Sequence, residues 1–412
     1  MNNYIIQNIT QLVTCSGSSA KHGRKMSDLG VIENGMVVVT NGIISYVGHS
    51  SKQFPVDHPE DYEIIDAQGK AVLPGFIDSH THLVFGGYRE EEFSWRMRGD
   101  SYMSIMNRGG GIYSTVHATR NASFEELEST AKIRLDKMLA MGVTTVEAKS
   151  GYGLDKETEL KQLRVLKKLN AIHPVDIVST YLGAHAVPVE YKDDEKAYID
   201  FMLQEVMPIV RKENLAECCD IFCEKGVFST QESESFLLSA KAMGFQLKIH
   251  ADEIVATGGA ELAASIGALS ADHLLQASEK GIEALANSDT VATLLPCTAF
   301  SLKENYAQGR RMIDAGCAVA LATDLNPGSS FTSSIPLTIA LACIYMKLSP
   351  EEAVTALTIN AAAALGKADS IGSIDLGKKG DLIILEFPSY KFLPYHVGTN
   401  CVEKTFKSIS NY

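Results

Sequence analysis

Between residues 71 and 324 one pattern recurs eight times: a short apolar run of strand length, followed by a stretch with helical spacing or by loop residues. The runs span 71–80, 142–149, 176–185, 218–224, 245–250, 268–273, 290–296 and 317–324. Parallel neighbours need a long crossover, usually a helix, so this alternation predicts βα units around a parallel sheet. Eight units close a sheet on itself, and the expected fold is an α/β (β/α)8 TIM barrel. The helices carry start signals of their own. Ser123 stands three residues before Glu126, the spacing of a capping box, ahead of a helix expected over 123–141, and a second helix is expected over 156–169.

The flanks read differently. Residues 4–13, 35–47 around the Asn41-Gly42 turn, and 62–65 are short β-type runs, expected to form a small antiparallel sheet. After the eighth strand, Ser349-Pro350 opens an Ala-rich helix expected to reach about Leu365, with proline at its first position. The chain then returns to turns and strands in Gly372-Ser373-Ile374-Asp375, 377–380 and 381–385. Both ends are therefore expected to join in one small composite β-sandwich domain, 1–70 with 368–412, beside a barrel domain over 71–367. The 412 residues accommodate this, since such a barrel takes about 250 to 300.

Several classes of function are disfavoured. No stretch approaches the roughly 20 apolar residues of a membrane span. The opening residues lack the basic and apolar regions of a secretory signal, so the cytoplasm is the expected compartment. Against 50 acidic residues there are 37 Lys and Arg, a net charge of −13, and no basic cluster suggests nucleic acid as a partner. The eight cysteines sit mostly in apolar surroundings and read as reduced core residues.

Chemistry concentrates where the strands end. In Asp78-Ser79-His80-Thr81-His82, alternation along an extended chain puts His80 and His82 on one side, about 6.6 Å apart in backbone rise, so both imidazoles can reach one cation. Further ionisable residues fall at the ends of later strands: Glu147, Lys149, His185, Glu224, His250, Asp252, Glu253, His273 and Asp324. In a barrel these ends converge on one face, where active sites of this architecture lie. Five of the 11 histidines belong to this group. Three imidazoles and one carboxylate form a donor set suited to zinc or iron, and His80, His82, His250 and Asp324 are the expected ligands.

The segment Pro74-Gly75-Phe76-Ile77-Asp78-Ser79-His80-Thr81-His82 resembles the opening metal motif of the amidohydrolase superfamily, and residues 372–374 with 377–382 resemble its tail pattern. Within that superfamily, residues 147–154, 182–185, 250–253 and 323–328 are similar to the hydrolases that convert 4-imidazolone-5-propanoate and water to N-formimidoyl-L-glutamate in histidine degradation. The resemblance runs over nearly the whole chain. It implies hydrolysis of a cyclic amide C–N bond at a single zinc or iron ion on the four ligands above, a small anionic heterocyclic substrate, and a homodimer. It further implies substrate contacts from Arg89, Tyr152, His185, Glu253, Asn326, Gly328 and Ser329. Two-metal relatives carry a carboxylated lysine at the end of the fourth strand, where this chain reads Phe222-Cys223-Glu224 before Lys225, so one ion is expected.

Within that chemistry a cation activates water. Glu253 is the expected proton shuttle, with Asp324 as the second possibility, and His273 is placed to hydrogen-bond the developing oxyanion. Arg89 suits a propanoate arm, with Arg96, Arg98 and Arg108 as nearby competitors. Gly109-Gly110-Gly111 lacks the partners of a phosphate loop and reads as a lid hinge. Two rival readings stand beside this one: a mononuclear deaminase or other cyclic-amide hydrolase, of cytosine or guanine type, and a metal-free scaffold for protein interaction.

Overall fold

The structure is a computed structural model and describes residues 3–51, 54–100, 104, 108–192 and 194–408. The N-terminal segment supplies β1 (Tyr4–Val13), β2 (Val31–Thr40), β3 (Ile43–His49), β4 (Glu63–Asp66) and β5 (Ala71–Pro74). The barrel strands follow as β6 (Phe76–Asp78), β7 (Val143–Lys149), β8 (Asp176–Ala184), β9 (Cys218–Cys223), β10 (Gln246–Ala251), β11 (Ser270–His273), β12 (Val291–Leu294) and β13 (Val319–Leu321). The chain then adds β14 (Leu382–Leu385) and β15 (Val402–Phe406).

Strands β6 to β13 lie side by side in chain order, every neighbouring pair parallel. Two backbone bonds close the ring just past the strand ends: Asp324 N–H donates to His80 O at 3.0 Å, and His82 N–H donates to Leu325 O at 2.9 Å. The seam of the barrel is thus made by residues expected at the metal. All of β7 is buried, as suits a parallel strand covered on both faces. The expected capping box forms at Ser123 and Glu126, where the helix Phe124–Ala140 begins.

Residues 71–80 were expected as one barrel strand, and the chain instead divides them at Gly75. β5 pairs with β1 and β14 in the small sheet, and β6 starts the barrel. Gly75 N–H donates to Asp381 O at 2.9 Å, whereas the next amide, Phe76 N–H, donates to Gly142 O at 2.9 Å. A side chain at position 75 would collide with Thr144, so only glycine permits the change of partner here.

Both chain ends do meet in the small domain, whose strand order is β15-β14-β5-β1-β2-β3 with β4 also on β1. The expectation of a purely antiparallel sheet is corrected: β4 and β5 both run parallel to β1. The Asn41-Gly42 turn has φ of 52° and 79°, the left-handed pair that a tight hairpin requires. Tyr4 of β1 stacks on Phe406 of β15, ring centroids 5.1 Å apart although two strands lie between them. The sheet therefore folds over its own apolar core, which includes Ile6, Leu12, Val37, Val72 and Ile384.

The helix expected from Ser349 to about Leu365 also differs. Ser349 caps it with Glu352, but it runs Pro350–Ala356 and resumes as Ile359–Ala363. Between the halves, Leu357 O accepts from Ile77 N–H at 2.8 Å, a bond to the first barrel strand. No helix of the described residues is long and apolar enough to cross a membrane.

Candidate active site

The motif after β6 is pinned from both sides. Thr81 Oγ1 donates to Glu147 O at 2.7 Å, and Lys149 N–H donates to Thr81 O at 2.9 Å, so Thr81 faces β7. His80 and His82 face the barrel mouth, where β10 contributes His250. One ring nitrogen from each of the three lies within 4.8 Å of the others, and all three residues are buried. Asp324, just past β13, has φ of 52° and places Oδ1 at 3.5 Å from Nε2 of both His80 and His82.

Three of the four expected ligands, His80, His82 and His250, thus form one cluster, and the fourth, Asp324, adjoins two of them. Buried His80 Nε2, His250 Nε2 and Asp324 Oδ1 have no hydrogen-bond partner in the protein. Leaving a buried polar atom unpaired costs about 1–3 kcal/mol, so unpaired atoms at and beside this histidine cluster fit a bound cation. The chemistry of the set agrees, since imidazole lone pairs and a carboxylate suit a divalent transition metal.

His80 and His82 are held in the uncharged form that binding a cation requires. His80 Nδ1 lies 2.7 Å from Asp272 Oδ2, which fixes its proton there and turns Nε2 to the mouth. Burial, with Lys149 and with His185 respectively, holds His80 and His82 well below the usual histidine pKa, so both are neutral. Burial works against charge on His250 too, but the Asp220 carboxylate, 2.9 Å from its Nδ1, keeps its pKa above the ordinary value. Asp324 Oδ2 accepts from Thr298 Oγ1 at 2.6 Å, and burial raises its carboxyl to about 6.

Above these groups lies a cavity of about 720 Å³, whose wall includes His82, His250 and Asp324 together with Arg89, Tyr152, His185, Glu253, His273, Asn326, Gly328 and Ser329. Every expected substrate contact and His273 thus line one space, with His80 just behind it. His185 stacks on His82, centroids 4.8 Å apart and planes at 15°, and its Nδ1 lies 3.0 Å from Gly151 O. Tyr152 tilts against both rings. Burial lowers His185 to about 3 and raises the Tyr152 phenol, so both face the cavity uncharged.

Glu253 and His273 form a pair, Oε1 to Nδ1 at 3.5 Å. His273 holds φ of 76°, a sparsely populated conformation that costs on the order of 1–3 kcal/mol and persists where structure over-determines it. Burial first, and then the charge of Asp324, push the Glu253 carboxyl up to about 8, although its side chain keeps 17% exposure at the cavity wall.

Of the four arginines near the first loop, Arg89 and Arg96 line the cavity. Arg98 is exposed, and Arg108 pairs with Asp100 at 3.0 Å. Arg89 donates through Nε to Glu92 Oε2 at 2.9 Å, and its Nη1 lies against Gly328, where any side chain would collide with it. Arg96 Nη2 donates to Gly328 O at 3.3 Å. Asn326 spends its side chain on its own turn, accepting from Gly328 N–H and Ser329 N–H at 2.8 Å each, so it shapes the loop that carries both. Gly111 N–H donates to Glu92 Oε1 at 3.1 Å, which joins the glycine run to the arginine loop.

Other residues of the site escape simple motif reading. Asp272 and Asp220 lie against His80 Nδ1 and His250 Nδ1, and alternation along β9 puts Asp220 in step with Phe222, a period-two signal that was available. Glu159 accepts from Gly151, Gly153 and Leu154 N–H at 3.1, 2.8 and 2.9 Å, clamping the Tyr152 loop from a helix where only burial distinguishes it. Glu224, at the fourth barrel strand, turns away to accept from Ile254 N–H at 2.8 Å. Lys225 is exposed, so neither residue offers the bridging group of a two-metal centre.

Comparison with known proteins agrees with this geometry. The model of the amidohydrolase family matches residues 71–408. An imidazolonepropionase of Parabacteroides distasonis is 61% identical over 403 residues, covering 98% of this chain and 97% of the relative. An imidazolonepropionase of Bacteroides thetaiotaomicron is 62% identical over 407 residues, with coverage of 98% and 97%. Among solved structures, an adenosine deaminase from Xanthomonas campestris with bound zinc superposes with a TM-score of 0.70 at 18% identity, covering 98% of this chain and 91% of that one. At that identity the likeness concerns the fold.

Proposed function

Because this chain belongs to the amidohydrolase family and, within it, to the imidazolonepropionases, we propose that its barrel mouth performs their reaction with the residues gathered there. It is a hydrolase of cyclic amides, adding water across the ring C–N bond of 4-imidazolone-5-propanoate to give N-formimidoyl-L-glutamate, a step in the degradation of histidine to glutamate. The observation that carries the site assignment is the buried cluster of His80, His82 and His250 ring nitrogens within 4.8 Å of one another, with Asp324 Oδ1 3.5 Å from the first two residues.

His80, His82, His250 and Asp324 hold one zinc or iron ion. Bound there, the ion lowers the pKa of a water from about 15.7 to near 7 and so supplies the nucleophile at neutral pH. Glu253 takes the water's proton and returns it to the ring nitrogen as the C–N bond breaks. His273 hydrogen-bonds the oxygen that gains charge at the ring carbonyl, from a position fixed before substrate arrives. Neutral Tyr152 and His185 offer rings for the heterocycle to lie against, and the 326–329 loop, with Gly328 and Ser329, borders the propanoate end.

Arg89 binds the propanoate, because a planar guanidinium matches a carboxylate bidentately and this one is already oriented by Glu92. Arg89→Ala raises KM chiefly, by about tenfold or more for a charge-assisted bond of roughly 1.5–3 kcal/mol. An unchanged KM in steady-state kinetics would move the role to Arg96.

The same reading includes a cytoplasmic location, supported by eight unpaired cysteines that suit a reducing compartment. It includes a homodimer, supported by the exposed apolar side chains Ile344, Tyr345, Tyr395 and Val397 at the ends of two helices that pack together. Purified protein assayed on 4-imidazolone-5-propanoate beside cytosine, guanine and hydantoin tests the whole. Turnover of the first is expected. Its absence, with turnover of one of the others, overturns the substrate assignment.

A further inference from the structure

Beneath the imidazoles lies a group of buried charges that the chemistry above does not employ. Lys149 Nζ, at the end of β7 and fully buried, is 2.7 Å from Glu147 Oε1, 2.7 Å from Asp220 Oδ2 and 3.6 Å from Asp272 Oδ2. The two aspartates adjoin two expected ligands: Asp272 Oδ2 hydrogen-bonds His80 Nδ1 at 2.7 Å, whereas Asp220 Oδ2 makes an ion-pair contact of 2.9 Å with His250 Nδ1 and its Oδ1 accepts from His250 N–H at 3.1 Å. The same oxygen of each aspartate faces both the ammonium and the ring. Lys248 is a second cation near Asp272, at 3.8 Å, and its Nζ donates to Ser79 O and Ala364 O at 3.4 and 3.3 Å.

An imidazole ligates through Nε2 only while its proton sits on Nδ1, so an acceptor must be held at Nδ1 in the right place. A carboxylate behind one histidine does this for one ligand. Here the carboxylates behind His80 and His250 share an ammonium, although the two histidines stand on β10 and just beyond β6, strands that are not neighbours in the ring. Moving Asp220 away from Lys149 would leave a buried carboxylate without its ammonium, and moving Asp272 would leave it only the more distant Lys248, both unfavourable in a buried site. Each ring is thereby held in relation to the other before any ion arrives.

We propose that Lys149 is a positioning residue that acts through Asp220 and Asp272 together, fixing the tautomer and orientation of His80 and His250 as one unit. The proposal rests on the metal reading above and concerns how the ligands are held, whichever substrate is used.

The test uses full-length protein, metal-free and with zinc alone. In the wild type without metal, at a pH high enough that His250 is uncharged, long-range proton–nitrogen spectra of histidine-labelled protein are expected to show His80 and His250 each as a single Nδ1–H tautomer. Lys149→Met keeps the length of the side chain and removes its charge. It is expected to set both rings exchanging between tautomers and to weaken zinc binding about ten- to hundredfold in chelator competition, as loss of a ligand-orienting partner does elsewhere. His173, whose Nε2 pairs with Asp136 outside this group, keeps its spectrum.

A folded Lys149→Met protein that binds zinc like the wild type overturns the proposal, as does disturbance of only one of the two rings. Should the variant fail to fold, the wild-type spectrum alone decides: an Nε2–H or mixed tautomer at either histidine overturns the proposal, and Nδ1–H at both supports it. A wild type that binds no zinc sinks the metal reading and this inference together, whereas equal zinc binding by both proteins removes only the role of Lys149.

Discussion

His80→Ala is expected to abolish turnover and to leave less than about half an equivalent of metal per subunit, while the protein stays folded. The substitution deletes one donor and opens a gap beside Asp324, whose Oδ1 lies 3.5 Å from that ring. Without the ion, water would have to lose a proton at a pKa of about 15.7 instead of near 7, so a rate loss of roughly 10⁴-fold or more follows. Folding should survive because Asp272, which loses the imidazole, keeps Lys149 at 3.6 Å and Lys248 at 3.8 Å as counter-charges. Metal analysis, circular dichroism and a rate measurement on one preparation separate these effects. A His80→Ala protein with a full complement of metal and a near-normal rate would exclude the residue from the centre.

The barrel could be read from sequence because its strands are buried on both faces and announce themselves as continuous apolar runs. Each of the eight runs contains a barrel strand, and the ends differ by a few residues at most for seven of them. The eighth, 71–80, shows the limit. Its apolar character is continuous, yet the backbone changes partners at Gly75, and periodicity carries no record of which sheet an amide donates to. The parallel placement of β4 and β5 against β1 was hidden for a related reason, since short strands of either sense have the same alternation. The break after Ala356 depends on one carbonyl, Leu357 O, being claimed by Ile77 N–H of a strand some 280 residues earlier.

The cavity residues were legible to a similar degree. His80 and His82 are visible as a pair in sequence, and strand ends gather on one face of a barrel whatever their separation along the chain. The carboxylate behind His80 was not, because a buried Asp one step before His273 looks like any polar residue closing a strand. What distinguishes Asp272 is that its Oδ2 meets His80 Nδ1 across 192 positions. Arg89 against Arg96 was likewise open on spacing alone, and the structure brings both to Gly328 while leaving Arg98 exposed.

Glu253→Gln separates holding the ion from moving the proton. Glutamine keeps the shape and the polarity of the side chain but cannot exchange a proton, so metal content should stay near the wild-type value while kcat falls by about 10² or more. The carboxyl is suited to the shuttle by its surroundings: burial and Asp324 raise it to about 8, and a cation bound nearby would draw that value down toward neutrality, where acceptance and return of a proton are both feasible. Asp324 is the other carboxyl within reach, and its substitution gives a different signature. On the proposed roles Asp324→Ala removes a ligand, so metal and rate should be lost together, whereas Glu253→Gln should lose rate alone, with KM little changed because the proposed propanoate site at Arg89 is untouched. A near-normal kcat in Glu253→Gln with metal in place would take the shuttle away from Glu253 and leave Asp324 as the one carboxyl of the pair able to serve.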